Sequence, residues 1–152
     1  MKFFFDEHIS PRIVEALRCL EPRMRPDGAS THDLVHLREK YNGRGGVPDT
    51  DFIPEVAGEG FIIITADQAQ KKNKGKHAAE SRAYRTSGAI AFWLPRIYAN
   101  PRKKSDEPGK EYRFEQAAFI FKSWPAIKRA AETARPMDLF DIDDRGRVAQ
   151  RV

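Results

Sequence analysis

The sequence predicts an α/β fold: one mainly parallel sheet with helices on both faces and a short edge hairpin at the C-terminus. Three observations carry this. Short apolar runs alternate with segments of helical spacing along most of the chain. The run Phe61 to Ile64 holds three Ile behind Gly60, too short for a helix and apolar throughout, as a strand buried on both faces requires. The residues just before it, Phe52, Ile53, Val56 and Ala57, fall on one helical face, so helix, Gly turn and strand follow in order.

Lys2 to Phe5 is a first strand ending at Asp6 and Glu7. Ser10-Pro11 opens a helix, with Ser as N-cap and Pro at N1, and Ile13, Val14, Leu17 and Leu20 form its apolar face. Glu21 to Ser30, with Pro22, Pro26 and Gly28, is a loop. Asp33 to Leu37 is a second strand, in which His36 packs or caps rather than binding metal. Arg38 to Pro48 is a charged, Gly-rich loop. Its Gly43-Arg44-Gly45-Gly46 lacks the strand-and-helix context of a phosphate-cradling loop.

In the next helix, Pro54 belongs in the first turn, where backbone donors are unpaired anyway. That makes Thr50 or Asp51 the N-cap and leaves Asp49 just outside. After Asp67 the run Gln68 to His77 holds Lys71, Lys72, Lys74 and Lys76, the densest basic stretch, and Ala78 to Arg85 continues as a helix with Glu80 and Arg82. Ala89 to Leu94 is another buried strand. The segment 95–111 is a polar insertion with Arg102-Lys103-Lys104, expected to be mobile. Tyr112 to Lys122 reads as a helix with Phe114, Ala117, Ala118 and Phe121 inward, and Ser123-Trp124-Pro125 restarts a second one to about Thr133. Met137 to Ile142 is a strand, Asp143 to Gly146 a turn, and Arg147 to Val152 a short edge strand.

With 152 residues, 40% of them hydrophobic, the chain is expected to form a single domain, 1–152, with its own core. A net charge of +5 suits an anionic partner. Cys19 is the sole cysteine, which excludes an internal disulfide and suits a reducing cytoplasm. Lys2 to Phe5 is too short for a signal segment, since Asp6 and Glu7 interrupt it, and no run reaches membrane-spanning length.

The acidic residues have a pattern. In a parallel unit, a helix leading into a strand starts at the edge where strands end. Asp6 and Asp67 follow strands and Asp49 stands at a helix start, so all three belong to the carboxyl edge of the sheet, where open α/β sheets bind ligands. Neighbouring strands lie about 4.8 Å apart. If the first strand pairs with Phe61 to Ile64, Asp6 and Asp67 can share one cation. Taken singly, each acid is explained as a cap or a strand end. Three acids on one edge are less easily explained that way.

Together, Asp6-Glu7-His8-Ile9-Ser10-Pro11 after an apolar strand, His32-Asp33-Leu34-Val35, Asp49 before a helix and Thr65-Ala66-Asp67 ending a strand resemble the PIN-like domains, closest to the small bacterial branch with VapC-type toxins. The likeness runs from Met1 to about Leu94, and more loosely through Trp124-Pro125. It implies a Rossmann-like parallel sheet and a ribonuclease site using Mg²⁺ or Mn²⁺. By that resemblance Asp6, Asp49 and Asp67 are the metal ligands, and Glu7 or Asp51 orients the water or a second ion. Lys71, Lys72, Lys74 and Arg82 would contact the RNA backbone. The resemblance also implies the toxin role in a toxin–antitoxin pair, with an RNA substrate and a small antitoxin protein as partner; a homodimer and no membrane partner are further expectations. The chain departs from the pattern at His8, where relatives carry Asn, and at Ala69, where many carry Asp. A fourth carboxylate is then Asp51, Glu80 or none. Two other readings stay open: a non-catalytic PIN-like module that binds RNA or protein, and a phosphorylation-dependent receiver with Asp67 as acceptor. The receiver reading lacks a Lys at Leu94-Pro95-Arg96, where its strand end needs one.

Overall fold

A computed structural model describes residues 1–21, 32–72, 74–99 and 112–151. Six strands form one sheet: β1 (Lys2–Phe5), β2 (Asp33–His36), β3 (Phe61–Thr65), β4 (Ile90–Trp93), β5 (Leu139–Ile142) and β6 (Val148–Gln150). Their order is β2-β1-β3-β4-β5-β6. The first five are mutually parallel, and β6 returns antiparallel to β5 as the expected edge hairpin. Phe5 pairs with Ile64, which puts the ends of β1 and β3 side by side.

Alternation along the strands fills two cores. Phe3, Phe5, Ile62, Ile64, Phe92 and Phe140 face α1 (Pro11–Leu20) and α5 (Tyr112–Thr133). Phe4, Ile63, Ala91 and Trp93 face α3 (Asp49–Gly58) and α4 (Ala78–Ser87), with Leu37 of the single-turn α2 (Leu37–Lys40) beside them. Strands apolar on both sides are what a sheet covered on both sides needs. The turn after β5 presses on α5: Gly146 has φ +81°, and a Cβ there would meet Ser123 Oγ at 2.7 Å, so both conformation and space call for Gly.

Several expectations need correction. Helix α3 starts at Asp49, not after it. The Pro48 carbonyl accepts from the N–H groups of Asp51 (2.9 Å) and Phe52 (3.2 Å), and Pro54 lies in the second turn. There it denies a partner to the Thr50 carbonyl, but Thr50 is exposed and water can serve it. Burial of Phe52, Ile53 and Val56 offsets the loss.

Helix α5 is continuous through Pro125, and Ser123 is buried inside it rather than capping a second helix. Its inward face is Gln116, Phe119, Ile120, Ser123, Trp124, Ile127 and Ala131. Phe114, expected inward, is 72% exposed, and Ala118 is exposed as well. Leu20, the last residue of α1, is 70% exposed, while Ile13, Val14 and Leu17 are buried as expected. Of the insertion, Arg96–Tyr98 is a 3-10 turn with the Tyr98 ring 4.8 Å from that of Phe119. Residues 100–111, and the loop 22–30, lie outside the described residues. Among the described residues no helix is long and apolar enough to cross a membrane.

Candidate functional site

The carboxyl edge of the sheet gathers the acidic residues. Asp6 leaves β1 and is 1% exposed. Its backbone N–H bonds the Ile64 carbonyl at 3.2 Å, extending the β1–β3 ladder past the strand end. Its Oδ1 accepts the His8 N–H at 3.0 Å, and its Oδ2 accepts the Thr65 hydroxyl. The Thr65 oxygen in turn accepts the Asp67 N–H at 3.0 Å. One hydroxyl at the end of β3 thereby holds the first acid by its side chain and the third by its backbone. Asp67 caps the 3-10 turn Gln68–Lys71, Oδ1 accepting the Ala69 N–H at 2.8 Å.

Asp49 approaches from the start of α3. Its Oδ2 accepts from Gln70 Nε2 at 2.8 Å, and Gln70 Oε1 accepts the Tyr84 hydroxyl at 2.7 Å. Burial pushes the Asp49 carboxyl up to about 7, and the charges of Asp6, Glu80 and Asp67 push the same way, against the lowering by the Gln70 hydrogen bond. Glu80, from α4, therefore belongs to the acidic group, with His77 Nδ1 2.8 Å from its Oε2. Asp51 does not join it: its side chain is exposed, and it adds to the charge felt by Tyr41 on the outer side of α3.

The edge already holds one cation of its own. His8 Nδ1 stands 3.5 Å from Asp6 Oδ2. Contact with Asp6 raises the imidazole to about 9 over the opposing effect of burial, and the charges of Asp67 and Glu7 add to the rise. His8 is accordingly an imidazolium at neutral pH. Glu7 is exposed and is drawn to the Gly-rich loop, its Oε2 accepting the Gly46 N–H at 2.9 Å.

The basic residues divide. Lys71 is tied to Asp141 and lies 5.6 Å over the Trp93 ring, and burial lowers its ammonium. Lys72, Lys74 and Arg82 are exposed on the segment and helix that leave the acidic edge. His36 is buried, accepts the Arg38 N–H at 3.1 Å to cap α2, and has Nε2 2.8 Å from the Ile9 carbonyl, so it packs and caps.

Asp6, Asp49, Asp67 and Glu80 act on a common region, but among the described residues no three acidic, imidazole or thiol groups meet as a ready ligand set. The donor chemistry fits a hard divalent cation. All four are carboxylates, their mutual repulsion is incompletely offset, and Asp49 Oδ1 and Asp67 Oδ2 have no protein partner among the described residues. Reading the sequence alone missed Gln70, Tyr84 and the charge on His8. Thr65 had a signal, a hydroxyl two residues before Asp67, but no role could be read from it.

No curated protein and no solved structure matches the chain. The family model for the PIN like domain matches residues 1–96, which cover β1 to β4 and every acidic residue of this edge. The chain belongs to the PIN-like domain family.

Proposed function

We propose that this protein is a metal-dependent endoribonuclease and the toxin of a toxin–antitoxin pair. PIN domains are in general metal-dependent nucleases. The observation that carries the reading is the gathering of Asp6, Asp67 and Asp49 at one sheet edge, where burial and neighbouring charge raise the Asp49 carboxyl to about 7. Such crowding destabilises the fold unless a cation enters, a common signature of a functional site.

Asp6, Asp49 and Asp67 would hold a Mg²⁺ or Mn²⁺ ion, with Glu80 the nearest further carboxylate. When bound, such an ion supplies water activation and charge neutralisation at a phosphate. The chain's own residues do the rest. Thr65 fixes Asp6 and the Asp67 backbone in register. The His8 imidazolium balances Asp6 and offers a positive charge to an incoming phosphate. Lys72, Lys74 and Arg82, all exposed, would contact the RNA backbone, and single-stranded or looped RNA is the fitting substrate because its bases are accessible.

The test is cleavage of a single-stranded RNA by the purified protein with Mn²⁺ or Mg²⁺, abolished by EDTA and by Asp67→Asn. Induced expression should be toxic to cells, and Asp67→Asn should remove the toxicity. A second reading, a non-catalytic RNA-binding module, is favoured by Ala69 and by the imidazolium already seated against Asp6. Metal-independent RNA binding with no cleavage would select it.

A further inference from the structure

Gln70 is 1% exposed and sits between two groups that determine its orientation. On one side is Tyr84, 1% exposed, its ring 4.9 Å from that of Trp93. Burial, and then the charges of Asp6, Asp49, Asp67 and Glu80, hold the Tyr84 phenol well above its usual range. The phenol keeps its proton and donates it to Gln70 Oε1. On the other side is the Asp49 carboxylate, which can only accept when ionised. With Asp49 ionised, as a metal ligand must be, one amide orientation satisfies both: carbonyl oxygen toward Tyr84, amide nitrogen toward Asp49. The reverse would set two acceptors, the amide oxygen and the carboxylate, against each other.

We propose that Tyr84 and Gln70 form a positioning relay for Asp49, tying down Oδ2 and presenting Oδ1 to a ligand. The proposal rests on the reading of Asp49 as a metal-binding carboxylate. Position matters because Asp49 lies in the first turn of α3, beside the exposed Thr50 and Asp51. Gln70 also belongs to the turn that Asp67 caps. The turn Gln68–Lys71 thus joins two of the acids: Asp67 fixes its beginning, and Gln70 reaches from it to Asp49. Trp93 and the body of α4 anchor the relay through the Tyr84 ring, so the rigidity comes from the second core rather than from the loop.

The experiment uses the full chain and two variants. Tyr84→Phe keeps the ring and removes the donor; Gln70→Met keeps approximate shape and removes both hydrogen bonds. Without metal, the Asp49 χ1 rotamer is read from three-bond NMR couplings. With Mn²⁺, affinity is read by calorimetry. The expected result is one fixed Asp49 rotamer in the parent and averaged couplings in both variants. Mn²⁺ affinity should fall about 10-fold, the lower end of the loss when an outer partner of a metal ligand is removed. A fixed rotamer and parent-like affinity in the variants would overturn the relay, even if they melt at lower temperature, because stability alone is what a structural role predicts. If the parent binds no Mn²⁺, the metal reading fails separately and the rotamer decides: averaged couplings uphold the relay, fixed ones overturn it. If Tyr84→Phe does not fold, Gln70→Met gives the same decision.

Discussion

The Thr65 hydroxyl donates to Asp6 Oδ2 across the β1–β3 pair, while its oxygen accepts the Asp67 N–H at 3.0 Å. Two acids 61 positions apart in the sequence are thus set by one buried oxygen. Thr65→Val keeps the shape and removes this link. Asp6 Oδ2 would keep only the His8 ring, at 3.5 Å, and the Asp67 N–H would lose its acceptor, a loss of about 1–3 kcal/mol for buried groups short of a partner. Denaturant unfolding should show that loss, and Thr65→Ser should recover most of it. A valine variant as stable as the parent would mean that the hydroxyl does not bear on Asp6.

A second prediction concerns acid stability at the other end of α1. Glu21 is 5% exposed, and its Oε1 accepts from Trp124 Nε1 and from Lys128 Nζ at 2.9 Å. Burial alone would raise this carboxyl, but the two α5 donors more than offset it and hold it below its usual range. The sign follows from linkage. A depressed folded value stabilises the native state above the unfolded value of 4.5, and that stabilisation is lost as pH falls below it. Glu21→Gln should therefore flatten the decline of melting temperature on acidification below about pH 4.5, a range set by the ordinary Glu value. An unchanged acid limb in the glutamine variant would show that the Glu21 contact does not drive it.

Much of this architecture is legible in the residues, and the failures have physical causes. The strands were readable because a doubly covered sheet demands apolar runs such as Phe3–Phe5 and Ile62–Ile64, with no polar face to blur them. The shared edge of Asp6, Asp49 and Asp67 followed from handedness. Local rules failed where tertiary burial outweighed them. Pro125 reads as a helix start, yet Phe119, Ile120, Trp124 and Ile127 on either side of it are all buried against the sheet, and their packing keeps α5 unbroken. The Gln70–Tyr84–Asp49 chain was not readable at all, since it joins residues 14 and 21 positions apart through contacts that no periodicity encodes.

Continuity of α5 gives a third prediction. A proline inside a helix removes one hydrogen bond and crowds the preceding turn, at a cost of about 3 kcal/mol. Part of this is returned through the stiffer unfolded chain, roughly 0.4–1 kcal/mol. Pro125→Ala should stabilise the protein by about 2–2.6 kcal/mol, the difference between these effects. If the helix instead restarted at Ser123, Pro125 would lie in a first turn, where it is well suited, and alanine would give no gain or a small loss.

The last prediction joins pH, stability and metal at Asp49. Its carboxyl lies at about 7 in the fold, against an ordinary value of 3.8 for a solvated Asp side chain. The native state therefore holds an extra proton between these values. Stability should fall as pH rises through that interval, because ionising Asp49 costs more in the folded chain than in the unfolded one. Asp49→Asn removes the charge but keeps an oxygen to accept from Gln70 Nε2. At pH 8 the variant should melt above the parent in the absence of metal, and the difference should shrink steadily toward pH 4. Adding Mn²⁺ should raise the melting temperature of the parent, since a ligand of the folded state alone stabilises it by mass action. The variant should gain little, and its RNA cleavage should drop steeply. The parent's Mn²⁺ affinity should also weaken as pH falls through about 7, where a proton competes with the ion for Asp49. The two halves separate cleanly. An asparagine variant that is no more stable at pH 8 contradicts the crowding of carboxylates at this edge. One that is more stable yet binds Mn²⁺ and cleaves like the parent leaves the crowding intact and removes Asp49 from the metal site.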